Sequence, residues 1–142
     1  MASVRQLLDA KGRAIYSVDP EDPVLEAIQL MADRHVGALL VMKGEELTGI
    51  VSERDYARKV ILLGRSSSDT PVWQIMSSPV HTVTPDQSVQ QCMRLMTERR
   101  VRHLPVIEQG HVVGVISIGD LVKTVMEQQQ RTIEQLEGYI HN

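Results

Sequence analysis

One seven-residue pattern occurs twice in this chain. Gly49-Ile50-Val51-Ser52-Glu53-Arg54-Asp55 returns 65 residues later as Gly114-Val115-Ile116-Ser117-Ile118-Gly119-Asp120. The same 65 residues separate Pro20 from Pro85, Val24 from Val89, Met31 from Met96, Val36 from Val101 and Val41 from Val106. A constant spacing leaves no room for an insertion or deletion between these landmarks. The chain is therefore expected to hold two copies of one supersecondary unit. Apolar positions alone could repeat for packing reasons. Here a glycine, a serine and an aspartate repeat in register with them, and that points to a site made twice.

The chain has 142 residues. A lone unit of about 50 residues buries a marginal core, so the two copies are expected to pack together. With no Phe and one Trp, the core must come from Val, Ile, Leu and Met. A net charge of −3 argues against a sequence-independent electrostatic grip on nucleic acid, which needs a basic face. The single cysteine, Cys92, has no intramolecular disulfide partner. No apolar run approaches the ~20 residues that span a bilayer, and no secretory signal is evident. These features lead to the expectation of a cytoplasmic protein.

Periodicity gives the elements. Ser3 is placed to cap a helix over Val4 to Lys11, ended by Gly12. Ser17-Val18 lies in a short strand, and Asp22 and Pro23 are expected to cap and open a helix carrying Val24, Ala27, Ile28 and Met31. Val36 to Met42 and Leu47 to Val51 read as a hairpin, and Ser52 as the cap of a helix through Leu63. The second copy repeats this order: a strand at Val80 to Val83, a helix at Ser88 to Arg99, strands at Leu104 to Ile107 and Val112 to Ile116, and a helix from about Ile118. The expected divisions are an N-terminal helix over 1–14, a first unit over 15–63, a linker over 64–76, a second unit over 77–125 and a helical extension over 126–142. On the last helix, Val122, Met126, Gln129, Ile133, Leu136 and Ile140 step alternately by four and three, a heptad-like seam. It fits a partner subunit or its own domain equally well.

Two β-α-β-β-α units, each ending in Gly-hydrophobic-hydrophobic-Ser-x-x-Asp, resemble a tandem pair of CBS domains, the arrangement also called a Bateman module. Val101-Arg102-His103-Leu104-Pro105-Val106 resembles the same family's second-strand segment. The resemblance spans roughly Ile15 to Val125 and implies an α/β fold of two units packed as a pseudo-twofold pair. It also implies clefts between the units that bind adenosine-containing ligands: AMP first, or ADP, ATP, NAD(H) or S-adenosylmethionine. Such modules are commonly homodimers and regulate another protein, here unidentified.

Asp55 and Asp120 stand three residues after Ser52 and Ser117, in the first turn of a helix. A carboxylate there can accept both hydroxyls of a ribose, and free amides of the same turn suit a phosphate. The same Ser-x-x-Asp spacing also makes a capping box. Arg54, Arg102 and His103 are the candidate phosphate ligands, because arginine offers fixed donors matched to phosphate oxygens. Only the second copy has Arg-His-x-Pro and only the first has arginine inside its motif, so unequal sites are expected. From the resemblance, Ser17, Val18, Gly37, Ala38, Thr82, Val83, Leu104 and Pro105 would line the adenine slot; for most of the Val and Leu residues plain core is the better account. Val89, Met93 and Met96 share a helical face with Cys92, which marks it as a buried structural thiol. The five histidines show no metal-ligand spacing, and no nucleophile elbow or P-loop is present. A non-catalytic regulatory module follows; a ligand-free interaction protein and a nucleotide-processing enzyme are the alternatives.

Overall fold

The structure, a computed structural model, describes residues 2–141. Met1 and Asn142, the outermost residues of the predicted terminal segments, lie outside the described residues. In chain order the elements are α1 (Val4–Lys11), β1 (Ser17–Val18), α2 (Val24–Arg34), β2 (Ala38–Lys43), β3 (Glu46–Ser52), α3 (Glu53–Tyr56), α4 (Val89–Arg99), β4 (His103–Glu108), β5 (His111–Ser117) and α5 (Ile118–His141). They form two compact units. One runs from Ala14 to His81; the other joins the N-terminal residues through Arg13 to the chain from Thr82 onward.

The repeat in the sequence is a repeat in register. Ala38 pairs with Ser52 and Lys43 with Glu46 across β2 and β3; His103 pairs with Ser117 and Glu108 with His111 across β4 and β5. Both hairpins slip at one equivalent place, between Val41 and Met42 and between Val106 and Ile107. The cores use the same positions. Val18, Val24, Ala27, Met31, Leu39, Val41 and Val51 build one cluster. Val83, Val89, Cys92, Met96, Leu104, Val106 and Ile116 build the other. Cys92 thus stands where the first copy has Ala27, a buried site for a small side chain.

The two copies differ at their first strand. In the first unit β1 lies parallel to β2, with Ser17 opposite Leu40 and the Leu40 amide donating to the Tyr16 carbonyl at 3.2 Å. In the second unit the strand predicted over Val80 to Val83 shrinks to a single bridge, Val83 to Val106. The residue equivalent to Leu40 is Pro105, which has no N–H to give. Val83 keeps its remaining two bonds, donating to the Pro105 carbonyl at 3.1 Å and accepting from the Ile107 amide at 2.8 Å.

Two further boundaries depart from expectation. Pro23, not Asp22, is the N-cap of α2, and α2 opens at Val24. Asp22 turns back instead and accepts the Asp19 amide at 3.0 Å. The helix expected from Ser52 to Leu63 is α-helical only to Tyr56 and widens into a π-helical turn over Ala57–Ile61. Beyond it Leu62 and Leu63 are exposed.

The repeat also reaches further back than the constant spacing revealed. Val4, Gln6, Leu7 and Leu8 stand 68 residues before Val72, Gln74, Ile75 and Met76. Each segment closes the core of its unit: Val4, Leu7 and Leu8 in one, Val72 and Ile75 in the other. The backbone bonds match. The Val4 amide donates to Gln87 O and the Arg5 amide to Pro85 O, as the Val72 amide does to Asp22 O and the Trp73 amide to Pro20 O. Three extra residues between Leu8 and Ser17 break the spacing and hide the relation from a fixed-offset comparison. The N-terminal helix therefore completes the unit of the second repeat, and the 3₁₀ turn Val72–Gln74 completes the unit of the first.

Each lead-in segment lies on a strand glycine. A Cβ on Gly114 would stand 2.7 Å from Leu8 Cδ2, and one on Gly49 would stand 2.5 Å from Met76 Sδ and 3.1 Å from the Ser77 carbonyl oxygen. Gly114→Ala is therefore expected to cost about 1–3 kcal/mol in urea denaturation. Combined with Leu8→Ala it should cost less than the sum of the single changes, because the space left by Leu8 admits the new methyl. Strictly additive losses would show that the two positions do not press on each other.

Candidate functional site

Each Ser-x-x-Asp motif sits at a strand-to-helix corner, where a helix leaves its first amides without intrahelical partners. In the first unit Ser52 ends β3 and caps α3. Its hydroxyl accepts the Asp55 amide at 3.2 Å, while Asp55 Oδ2 accepts both the Ser52 amide and the Ser52 hydroxyl at 3.0 Å. In the second unit the Ser117 hydroxyl accepts the Asp120 amide at 3.1 Å and Asp120 Oδ2 accepts the Ser117 amide at 2.8 Å. Both motifs are thus capping boxes. In each, one carboxylate oxygen is committed to the cap.

The second-strand segments lie beside these corners. The Glu53 amide donates to the Gly37 carbonyl at 3.0 Å, and the Ile118 amide donates to the Arg102 carbonyl at 2.8 Å. With the strand pairs Ala38–Ser52 and His103–Ser117, this brings Gly37 and Ala38 next to Ser52, and Arg102 and His103 next to Ser117. Arg54 and Arg102 are both exposed, and among the described residues neither guanidinium makes a hydrogen bond or ion pair. The remaining candidates divide. Ser17 and Thr82 are exposed; Val18, Val83, Leu104 and Pro105 are buried, with Val18 in one core cluster and Val83 and Leu104 in the other.

Each carboxylate also meets a lysine that the motif does not contain. Lys59 Nζ lies 3.3 Å from Asp55 Oδ1, one turn along the same helical stretch, and donates to the Ile75 carbonyl at 2.9 Å. Lys11 Nζ donates to Asp120 Oδ2 at 2.6 Å and to the Val115 carbonyl at 2.9 Å. The Lys59 contact was legible as an i,i+4 acid–base pair. The Lys11 contact spans 109 residues and carries no sequence signal.

These neighbours set the charges of the second corner. Burial alone would raise the Asp120 pKa, but the hydrogen bonds from Lys11 and Ser117 outweigh it and hold the carboxyl below its ordinary value. His103 is pushed down, first by burial and then by the positive charges of Lys11 and Arg102, with Asp120 opposing. The lowered value favours the neutral imidazole of His103 over its charged form. Cys92 is fully buried and its thiol is pushed up to about 11 by desolvation, which keeps it protonated and unreactive. Among the described residues no group of three His, Cys, Asp or Glu is placed to hold a metal ion, and no helix is long and apolar enough to cross a membrane.

Comparison with known proteins bears directly on the repeat. The CBS domain family matches twice, over residues 8–62 and 72–127. The mitochondrial CBS domain-containing protein CBSX3 of Arabidopsis thaliana is 44% identical over 125 residues, covering 84% of this chain; the chain spans 61% of that relative's length. A solved structure of a protein with CBS domains from Burkholderia ambifaria MC40-6 superposes with a TM-score of 0.88 at 54% identity, covering 90% of this chain and 96% of that one. The CBS domain pair of protein MJ0100, solved with methylthioadenosine and S-adenosylmethionine, shares the fold at a TM-score of 0.79 and 18% identity, over 90% of this chain and 98% of that one. Two matches to one family and a repeated Ser-x-x-Asp corner converge: the chain belongs to the CBS domain family and carries two CBS domains in tandem.

Proposed function

We propose that this tandem pair is a non-catalytic regulatory module that binds an adenosine-containing ligand and passes its occupancy to a partner protein. The observation that carries the proposal is the repeated corner. Serine, aspartate and a second-strand segment meet in the same way in both units, although capping a helix requires no such repetition. In this reading Asp55 and Asp120 accept ribose hydroxyls, with Ser52 and Ser117 holding each carboxylate in place. Arg54 and Arg102 carry the phosphate, and His103 adds a neutral donor. Ser17, Gly37, Ala38 and Thr82 are the proposed contacts to the base, with Val18, Val83, Leu104 and Pro105 shaping the slot from within the core. AMP is the first candidate ligand; ADP, ATP, NAD(H) and S-adenosylmethionine complete the class. The MJ0100 pair was solved with two adenosine-containing ligands, S-adenosylmethionine and methylthioadenosine, which supports the proposal. Occupancy would act by linkage, favouring the arrangement of units or subunits that binds the ligand better. A reducing compartment such as the cytoplasm suits a chain whose one cysteine is buried.

We also propose that the module is a homodimer or a larger even oligomer. On α5, Val122, Met126, Ile133, Leu136 and Ile140 are between 43% and 77% exposed, so the heptad-like seam is uncovered within its own unit. An apolar stripe of this length is a surface that a second helix would cover.

Calorimetric titration with AMP, ATP, NAD, NADH and S-adenosylmethionine tests the ligand class. At least one should bind. Asp120→Ala and Asp55→Ala should each weaken binding at their own site by about ten- to a hundredfold, the cost of losing a charged acceptor for buried hydroxyls. Asp120→Asn, which keeps a capping oxygen, separates the charge from the cap. No binding across the panel, or unchanged titrations for both aspartate variants, would reduce the corners to helix caps.

Arg54→Ala and Arg102→Ala should each narrow the preference for AMP over adenosine, and high salt should narrow it in the parent, because screening weakens exposed charge contacts. Two equal sites that bind adenosine as tightly as AMP would show that these arginines are ordinary surface charges. For the assembly, sedimentation over a dilution series should give a dimer or larger even species, shifted toward monomer by Leu136→Lys. A stable monomer of the parent at micromolar concentration would defeat it.

A further inference from the structure

Lys11 is the last residue of α1, and its ammonium reaches the second motif from outside it. Asp120 Oδ2 accepts two hydrogen bonds, one from the Ser117 amide at 2.8 Å and one from Lys11 Nζ at 2.6 Å. Among the described residues no donor bonds to Oδ1. In the first motif Asp55 Oδ2 also accepts two bonds, but both come from Ser52 within the corner and none from a lysine. Lys59 belongs to the same helical stretch as Asp55 and lies on Oδ1 at 3.3 Å. The residue equivalent to Lys11, 68 positions on, is Pro79. The two donors to the equivalent strand carbonyls also differ: the Ser77 amide donates to Ile50 O at 2.9 Å, whereas Lys11 Nζ donates to Val115 O at 2.9 Å. In one unit the contact is backbone and fixed. In the other it is a side chain that can leave.

A ribose diol bound in bidentate fashion places one hydroxyl on each carboxylate oxygen. At Asp120 the outer oxygen is open, but the inner one already holds two donors. The Ser117 amide is part of the strand-to-helix corner and stays. Lys11, 38% exposed at its side chain, is the group that must yield. A ligand without an anionic group then takes the carboxylate and leaves the ammonium without its ion-pair partner. A ligand bearing a phosphate supplies a replacement. Arg102, whose carbonyl is bonded to the first amide of the same helix, stands beside the corner with an unengaged guanidinium.

From this geometry we infer that Lys11 is an exchangeable counter-ion of the second site, which makes that site selective for a phosphate-bearing nucleoside over the bare nucleoside. Lys11 gives up Asp120 to the ribose and takes the phosphate. The inference rests on the proposed ribose-binding role of Asp120. It assigns the selectivity of that site to a residue outside both motifs, and it ties α1 to the occupancy of the site through its final residue.

The test is calorimetric titration of the full chain with AMP and with adenosine, for the parent, Lys11→Met and Lys11→Arg. Removing the ammonium frees Oδ2 for the diol and deletes a phosphate partner. In Lys11→Met the affinity for adenosine should hold or rise while the affinity for AMP falls, narrowing the ratio about three- to tenfold, the scale of a partly exposed charge contact. Lys11→Arg should recover most of the ratio. A lysine that only tethered α1 would lower both affinities together, and that result overturns the inference. So does an unchanged ratio with both ligands bound. The salt dependence of the parent's ratio is a second measurement, independent of how the variants fold: it should fall from low to high salt, and a flat response counts against the exchange. If the parent binds neither AMP nor adenosine, the ribose-binding role of Asp120 has failed, an outcome distinct from the failure of Lys11 alone.

Discussion

A missing side chain organises each unit. At Gly114 the β5 backbone lies open to Leu8, and at Gly49 the β3 backbone lies open to Met76, with no space for even one methyl group. That approach lets α1 and the 3₁₀ turn Val72–Gln74 settle onto the hairpins and bring Val4, Leu7, Val72 and Ile75 into the cores. Without the lead-in segments the hairpin and two helices of each unit would be left with an uncovered apolar face. A core this small loses stability quickly when part of its burial is lost. The position of Lys11 follows from the same contact. Once Leu8 is seated on Gly114, the end of α1 stands within reach of Asp120 and Val115.

The corners that follow these strands carry two demands. A helix start leaves amides to satisfy, and Ser52, Asp55, Ser117 and Asp120 satisfy them with reciprocal bonds. The bonds hold each carboxylate in one orientation, a condition for any ligand that must meet it in a set geometry. Capping and ligand binding are therefore compatible in these residues, since the cap engages one oxygen and leaves the other. What differs between the corners is the supporting charge. Asp55 has a neighbour from its own helical stretch; Asp120 has one from a helix more than a hundred residues away in sequence.

Three of the differences between the two halves have a local structural consequence. Pro105 removes the N–H that Leu40 donates, so the second unit keeps a bridge where the first has a strand. Pro79 stands where the N-terminal segment has Lys11, so only one corner receives a lysine from its lead-in segment. Arg54 has Gly119 as its counterpart. These substitutions leave the shared register and core positions intact while giving the two corners different charges.

The sequence by itself determined the repeat, the hairpin positions, the caps at Ser3 and Ser52, and the pairing of Ser with Asp. These depend on residues close in the chain, or on a spacing that can be read directly. It also marked Cys92 as a core residue, because the helical face around it is apolar. The lead-in repeat was present as Val4-x-Gln6-Leu7-Leu8 and Val72-x-Gln74-Ile75-Met76, but three added residues moved it out of register with the rest. The loss of the strand before Val83 was legible in principle at Pro105, once its partner was known. Tertiary structure alone decided that α1 completes the unit of the second repeat, that Lys11 meets Asp120, and that burial beside Lys11 lowers the pKa of His103. Those facts arise from contacts between segments distant in sequence, where packing rather than local preference sets which side chains meet.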